Sequence, residues 1–135
     1  MSPLMSKRVL GVFAGLALTA ACSSTSPSTT LAPPQPIFPA NGARVVSHEA
    51  TLMVTHDGAN KSSDVTDRFE ISTDADFGQL IDIADNVKQD DRGSSYTFRI
   101  PPENSDTVFY WRVRSANSVA TSAFSSPVMF VYGVR

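Results

Sequence analysis

Three stretches of the chain alternate between apolar and polar side chains with a period of two. Phe69 and Ile71 share a face opposite Arg68, Glu70 and Ser72. Tyr96, Phe98 and Ile100 alternate with Thr97 and Arg99, and Phe109, Trp111 and Val113 oppose Tyr110, Arg112 and Arg114. Successive side chains of a strand project to opposite faces, so each stretch predicts a strand with one buried face. Residues 51–55 (TLMVT) and 128–132 (VMFVY) are apolar on both faces, which is compatible with further strands. Turn-forming clusters separate them: Pro39-Ala40-Asn41-Gly42, then residues 56–64, 72–78, 88–95, 101–106 and 115–118. Residues 82–91 (DIADNVKQDD) read as an acidic, solvated loop. No stretch of this region carries a convincing helical period. Six or seven short strands at this spacing predict an all-β chain folded as one antiparallel β-sandwich over residues 37–135.

The first 36 residues follow a different pattern. Lys7 and Arg8 precede an uncharged run from residue 9 to residue 21 (VLGVFAGLALTAA), with Met1 or Met5 as the start. A membrane-spanning helix needs about 20 apolar residues, so this run has the proportions of a signal-peptide core. Residues 23–36 (SSTSPSTTLAPPQP) hold four prolines and no charge. Such a segment buries too little apolar surface to offset its ordering entropy and predicts a disordered tether. At about 3.1 Å per residue it would hold a domain roughly 40 Å from its attachment point.

Charge and cysteine content narrow the chemistry. The formal net charge is −2 and no basic stripe occurs, which argues against nucleic-acid binding. One cysteine, Cys22, rules out an internal disulfide and any C-x-x-C metal or redox site.

Two resemblances emerge from these residues. Leu18-Thr19-Ala20-Ala21-Cys22, at the end of the apolar run, resembles the lipobox of a bacterial lipoprotein. That resemblance implies a signal peptide over residues 1–21, lipidation of Cys22 and a tether over residues 22–36. The family favours leucine three residues before the cysteine, where this chain has Thr19. Ser23 after the cysteine resembles the pattern sorted to the outer membrane of Gram-negative cells. The expected location is therefore the bacterial cell envelope, with the membrane as partner through lipid on Cys22. Two or more acyl chains anchor stably where one is marginal.

Residues 38–45 (FPANGARV), 69–77 (FEISTDADF), 107–117 (TVFYWRVRSAN) and 124–132 (FSSPVMFVY) resemble a fibronectin type III domain. The resemblance covers nearly all of the chain after the tether and implies an immunoglobulin-like sandwich of about seven strands, with residues 38–45 as the entry into the first. Val54 stands where that family usually has a core tryptophan, and Trp111 is expected to fill part of the space. Phe109 stands at the family's tyrosine-corner position.

Several residue groups were weighed for function. Asp74 and Asp76 lie two apart in a turn, a weak calcium candidate lacking the further oxygens and bidentate glutamate that such a loop needs. An Asx-turn at Asp74, with Phe77 packing back on the core, is the simpler expectation. His48 and His56 flank a strand and lack a third zinc ligand, so both read as structural. The serines lack the G-x-S-x-G or S-x-x-K context of a nucleophile. The candidate interaction surface is Tyr110, Arg112 and Arg114, joined by Arg68 and Glu70 because the resemblance places their strands side by side. Tyrosine and arginine are enriched at interface hot spots, while Glu70 pairing with an arginine across the strands is the plainer structural role. The apolar last strand, ending at Val134 and Arg135, is a second candidate through edge addition. The expected function is non-catalytic and needs no cofactor: a membrane-anchored module that contacts an envelope protein or a glycan. The alternatives are a structural subunit of an envelope complex or, less directly, a calcium-dependent binder or hydrolase.

Overall fold

The alternation of apolar and polar residues is realised strand by strand. A computed structural model describes residues 30–57, 64–102 and 106–133. Cys22, the apolar run before it and the tether up to residue 29 lie outside the described residues, as do Val134 and Arg135. The described residues form eight strands and no helix: β1 (Gln35–Phe38), β2 (Ala43–Val45), β3 (Glu49–Thr55), β4 (Thr66–Ser72), β5 (Leu80–Lys88), β6 (Ser94–Arg99), β7 (Thr107–Ala116) and β8 (Val128–Tyr132). A three-stranded sheet runs β1-β3-β6, and a five-stranded sheet runs β2-β8-β7-β4-β5.

The core lies between the sheets. Leu52 and Val54 from β3 and Phe98 from β6 meet Phe69 and Ile71 from β4, Phe109, Trp111 and Val113 from β7, and Phe130 from β8. Fully burying each large apolar side chain contributes about 1.5–3 kcal/mol. Phe109 packs edge-on against Phe98 and stacks on Phe130, both at 5.4 Å between ring centroids. Trp111 is fully buried and stacks on Phe69 at 6.1 Å, in the same core cluster as Val54.

Five details depart from the sequence reading. The expected first strand is split: the turn at residues 39–42 carries the chain from one sheet to the other, giving eight strands instead of about seven. Its second half, β2, runs parallel to β8, so the sandwich is not wholly antiparallel. Residues 82–88 are strand, not acidic loop, because β5 pairs along β4 and turns Ala84 into the core. β8 is no edge: it is paired on one side with β7 and on the other with β2. The folded chain also begins inside the expected tether, since Leu31 and Pro34 are buried and β1 starts at Gln35.

The corner between β5 and β6 shows what the acidic residues do there. Asp90 and Gly93 exchange backbone hydrogen bonds at 2.6 and 3.2 Å, and the Asp90 side chain caps the amides of Arg92 and Gly93. Gly93 has φ 139°, and a Cβ there would lie 1.9 Å from the Val54 carbonyl oxygen, so the close approach admits only glycine. Along the same open side, the Tyr96 hydroxyl of β6 donates to Asp82 of β5. Burial first, and the Asp82 carboxylate second, push the Tyr96 phenol up to about 12.

Candidate interaction face

Pairing of β4 with β7 sets Arg68 opposite Arg114, Glu70 opposite Arg112 and Ser72 opposite Tyr110. All five residues of the sequence-predicted surface therefore gather on the outer face of the five-stranded sheet. Glu70 is the hub. Its Oε1 accepts from Arg112 Nε at 3.0 Å and Nη2 at 2.8 Å, and its Oε2 accepts from Arg68 Nε at 2.8 Å. Arg68 Nη1 also donates to Asp85 Oδ2 at 3.1 Å. The Glu70 side chain is only 6% exposed. Burial pushes its carboxyl up, but the hydrogen bonds and charges of Arg68 and Arg112 together outweigh this and hold it below the usual range. The hydrogen bond to Glu70 raises Arg68 in return.

Two aromatic rings that sequence reasoning did not assign to this face complete it. The Arg112 guanidinium lies 4.3 Å from the Phe77 ring centroid and 3.9 Å from that of Phe124, and Arg114 lies 4.8 Å from Phe124. Phe77, Arg112, Phe124 and Arg114 thus form an alternating aromatic–cation stack, each contact contributing about 0.5–2 kcal/mol. Phe77 was expected on the core. It is buried against Arg112 instead, because residues 73–79 fold back over the sheet. Ser72 Oγ donates to the Gln79 carbonyl at 2.7 Å and accepts from the Asp74 amide at 3.0 Å, and the Phe77 amide closes the turn on the Asp74 carbonyl at 3.0 Å.

Phe124 is placed by two serines three residues apart. The Ser122 amide donates to the Ser115 carbonyl at 2.8 Å, while the Ser115 amide donates to Ser122 Oγ at 2.9 Å. Ser125 repeats the arrangement with Val113, at 2.8 and 3.2 Å. This doubly bonded coil runs along β7 beyond the reach of β8, which pairs only with residues 107–111. The sequence signal was the Ser122-x-x-Ser125 spacing around an aromatic residue. Tyr110 and Arg114 are half-buried. Among the described residues, neither side chain has a hydrogen-bond or ion-pair partner.

The remaining candidates fall elsewhere and apart. Asp74 and Asp76 stay in the 73–79 turn, where Asp76 Oδ1 accepts from the Gly78 amide at 3.4 Å. The Asx-type bond thus belongs to Asp76, not to Asp74. A hydrogen bond with Asp74, then the Gly78 amide, hold the Asp76 carboxyl below its ordinary value. Among the described residues no group of three His, Cys, Asp or Glu side chains is placed to hold a metal. His48 shares a hydrogen bond of 2.8 Å with the Tyr132 hydroxyl. His56 is fully buried and bonds Asp67 Oδ2 through Nε2 at 2.7 Å. Asp67 was not anticipated: it is 1% exposed and also accepts from the hydroxyls of Ser94 and, at 2.7 Å, Ser115. His56, Ser94 and Ser115 all bond the carboxylate, and neither Ser94 nor Ser115 bonds the ring.

No family model matches the chain, and no curated protein matches it in sequence. Among solved structures, the chain is similar to the FN1–FN3 domains of chicken CNTN1, with 15% identity and a TM-score of 0.51 over 76% of this chain and 35% of that one. It is also similar to the fibronectin type III domain of human fibronectin type III domain containing protein 3, with 18% identity and a TM-score of 0.52 over 83% of this chain and 94% of that one. The fold is fibronectin type III-like. At these identities the likeness concerns architecture alone. The chain spans about a third of the length of the CNTN1 fragment. In this fibronectin type III-like sandwich, the aromatic–arginine stack lies on the outer face of the five-stranded sheet.

Proposed function

We propose that this chain is a non-catalytic interaction module, anchored to a bacterial envelope membrane through lipid on Cys22, and that it contacts a partner protein with the outer face of the five-stranded sheet. The observation that carries this reading is the preorganised stack Phe77–Arg112–Phe124–Arg114 beside the half-buried, unpartnered Tyr110. Rings and guanidinium groups already fixed by packing lose little entropy on binding, which favours their use at an interface.

Two measurements test the proposal. Lipidated protein crosslinked in envelope membranes should recover a defined partner by mass spectrometry, and Tyr110→Ala should reduce recovery at least fivefold. Unchanged recovery would remove this face from the proposal, and a stoichiometric partner held through other surfaces would favour the structural-subunit alternative. For the anchor, Cys22→Ser should move the protein from the membrane to the soluble fraction and abolish fatty-acid labelling. Labelling that persists in this variant would refute the role given to Cys22.

A further inference from the structure

Around Glu70 the outer face carries three guanidinium groups, of Arg68, Arg112 and Arg114, and two carboxylates, of Glu70 and Asp85. Arg68 and Arg112 share Glu70, and Arg68 also pairs with Asp85, so among the described residues no carboxylate pairs with Arg114. The register makes this imbalance sharper, because Arg114 sits directly across from Arg68. Like charges opposed across two strands destabilise the pair. Phe124 supports Arg114 by stacking, which leaves the positive charge in place.

Beside this cation lies a polar cavity of about 80 Å³, lined by Thr66, Arg68, Asp85, Asn86, Arg114 and Thr121. A water molecule's share of liquid volume is about 30 Å³. The cavity has room for more than a single water and so for a carboxylate. A guanidinium offers two parallel N–H groups that match a carboxylate, and the threonine hydroxyls and the Asn86 amide add neutral donors. Asp85 is already neutralised by Arg68 at 3.1 Å. Asp67 also borders the cavity, with both oxygens engaged by His56, Ser94 and Ser115.

We infer that this cavity receives one aspartate or glutamate side chain of the partner protein, with Arg114 as its principal counter-charge. The arriving carboxylate gives Arg114 the carboxylate partner that it lacks among the described residues and eases its opposition to Arg68. The inference rests on the outer face being the contact surface. It goes further in naming the chemistry of the residue that the surface accepts.

The test uses full-length protein in detergent solution, isotopically labelled in its arginine and asparagine side chains and followed by nuclear magnetic resonance. A triglutamate peptide is titrated at constant ionic strength. The Arg114 Nε–H signal should shift saturably, and in Arg114→Gln the accompanying shift of the Asn86 side-chain amide should fall at least tenfold. Arg99→Gln, which alters an arginine 82% exposed on the other sheet, should leave the titration intact. The melting temperature of each variant checks that the fold is retained. Chloride reproducing the shift, or an unaltered titration in Arg114→Gln, overturns the proposal. Tighter saturation by inorganic phosphate or by glucuronate overturns it in favour of those ligands. Partner recovery lost in Tyr110→Ala but kept in Arg114→Gln defeats the cavity alone, whereas recovery insensitive to both defeats the whole face.

Discussion

Glu70 occupies an outward position of β4, yet its side chain is as sheltered as many core residues. The shelter comes from the long side chains around it, since Arg68 and Arg112 close over the carboxylate while Phe77 and Phe124 hold Arg112 in place. The two arginines thus make Glu70 an acid whose folded form resists protonation. A carboxyl held below its unfolded value contributes stability above that value and loses it as pH falls through the folded one. Glu70→Gln should therefore flatten the acid limb of the stability–pH curve and cost about 1–3 kcal/mol at neutral pH. Chemical denaturation at a series of pH values checks this, and an unchanged acid limb would mean that the Arg68–Glu70–Arg112 cluster contributes nothing to folding. None of this sheltering was legible beyond the strand pair. The alternation gave Glu70 and Arg112 a common face once their strands were set side by side, but nothing local pointed to Phe77, and the serines flanking Phe124 do not by themselves say which face it covers.

At the scale of elements, strands that bury one face of rings announce themselves, and strands that use their polar residues in pairs do not. β4, β6 and β7 alternate cleanly because Phe69, Phe98 and Trp111 each face the opposite sheet. β5 escaped because Asp82 bonds Tyr96 and Asp85 bonds Arg68, so its carboxylates serve as pairing groups where a loop would solvate them. An inward-facing charge such as Asp82, together with the bulges in the β4–β5 register, also blunts an edge strand against adding foreign strands. The coil after β7 shows the same economy. Ser122 and Ser125 give it the hydrogen bonds of a strand on one side only, and so fix Phe124 over the sheet. Replacing both serines by alanine should leave the buried amides of Val113 and Ser115 with one partner fewer each. We expect a loss of about 2–4 kcal/mol in total, together with increased mobility of the Arg114 side chain in its relaxation signals. A variant that keeps the wild-type Arg114 dynamics would show that Phe124 is held by other contacts.

At the scale of the whole molecule, one polar network ties the two sheets together. Asp67 and Ser115 come from the five-stranded sheet, and Ser94 with His56 from the three-stranded sheet or its end. Removing the carboxylate strands three buried donors at once. Asp67→Ala should cost about 3–5 kcal/mol, read from the denaturation midpoint, while Ser115→Ala alone should cost less than half as much. Equal losses in the two variants would mean that Asp67 is no hub. Position was visible beforehand: Asp67 is in phase with Phe69 and Ile71, Ser94 with Tyr96 and Phe98, and Ser115 with Val113 and Trp111. Their convergence was not visible, because phase says which face a residue takes and not which residue of another strand it meets.

The same division runs through the protein. The sequence by itself determined the all-β character, the inward rows of the core and the face on which Tyr110, Arg112 and Arg114 lie, because side-chain direction in a strand depends only on local backbone geometry. Only the tertiary structure decided the splitting of the first strand between two sheets, the covering of β8, the capture of Phe77 and Phe124 by Arg112, and the arginine left without a carboxylate. Those outcomes depend on register between segments distant in the chain, where one carboxylate's position settles which of three cations it neutralises.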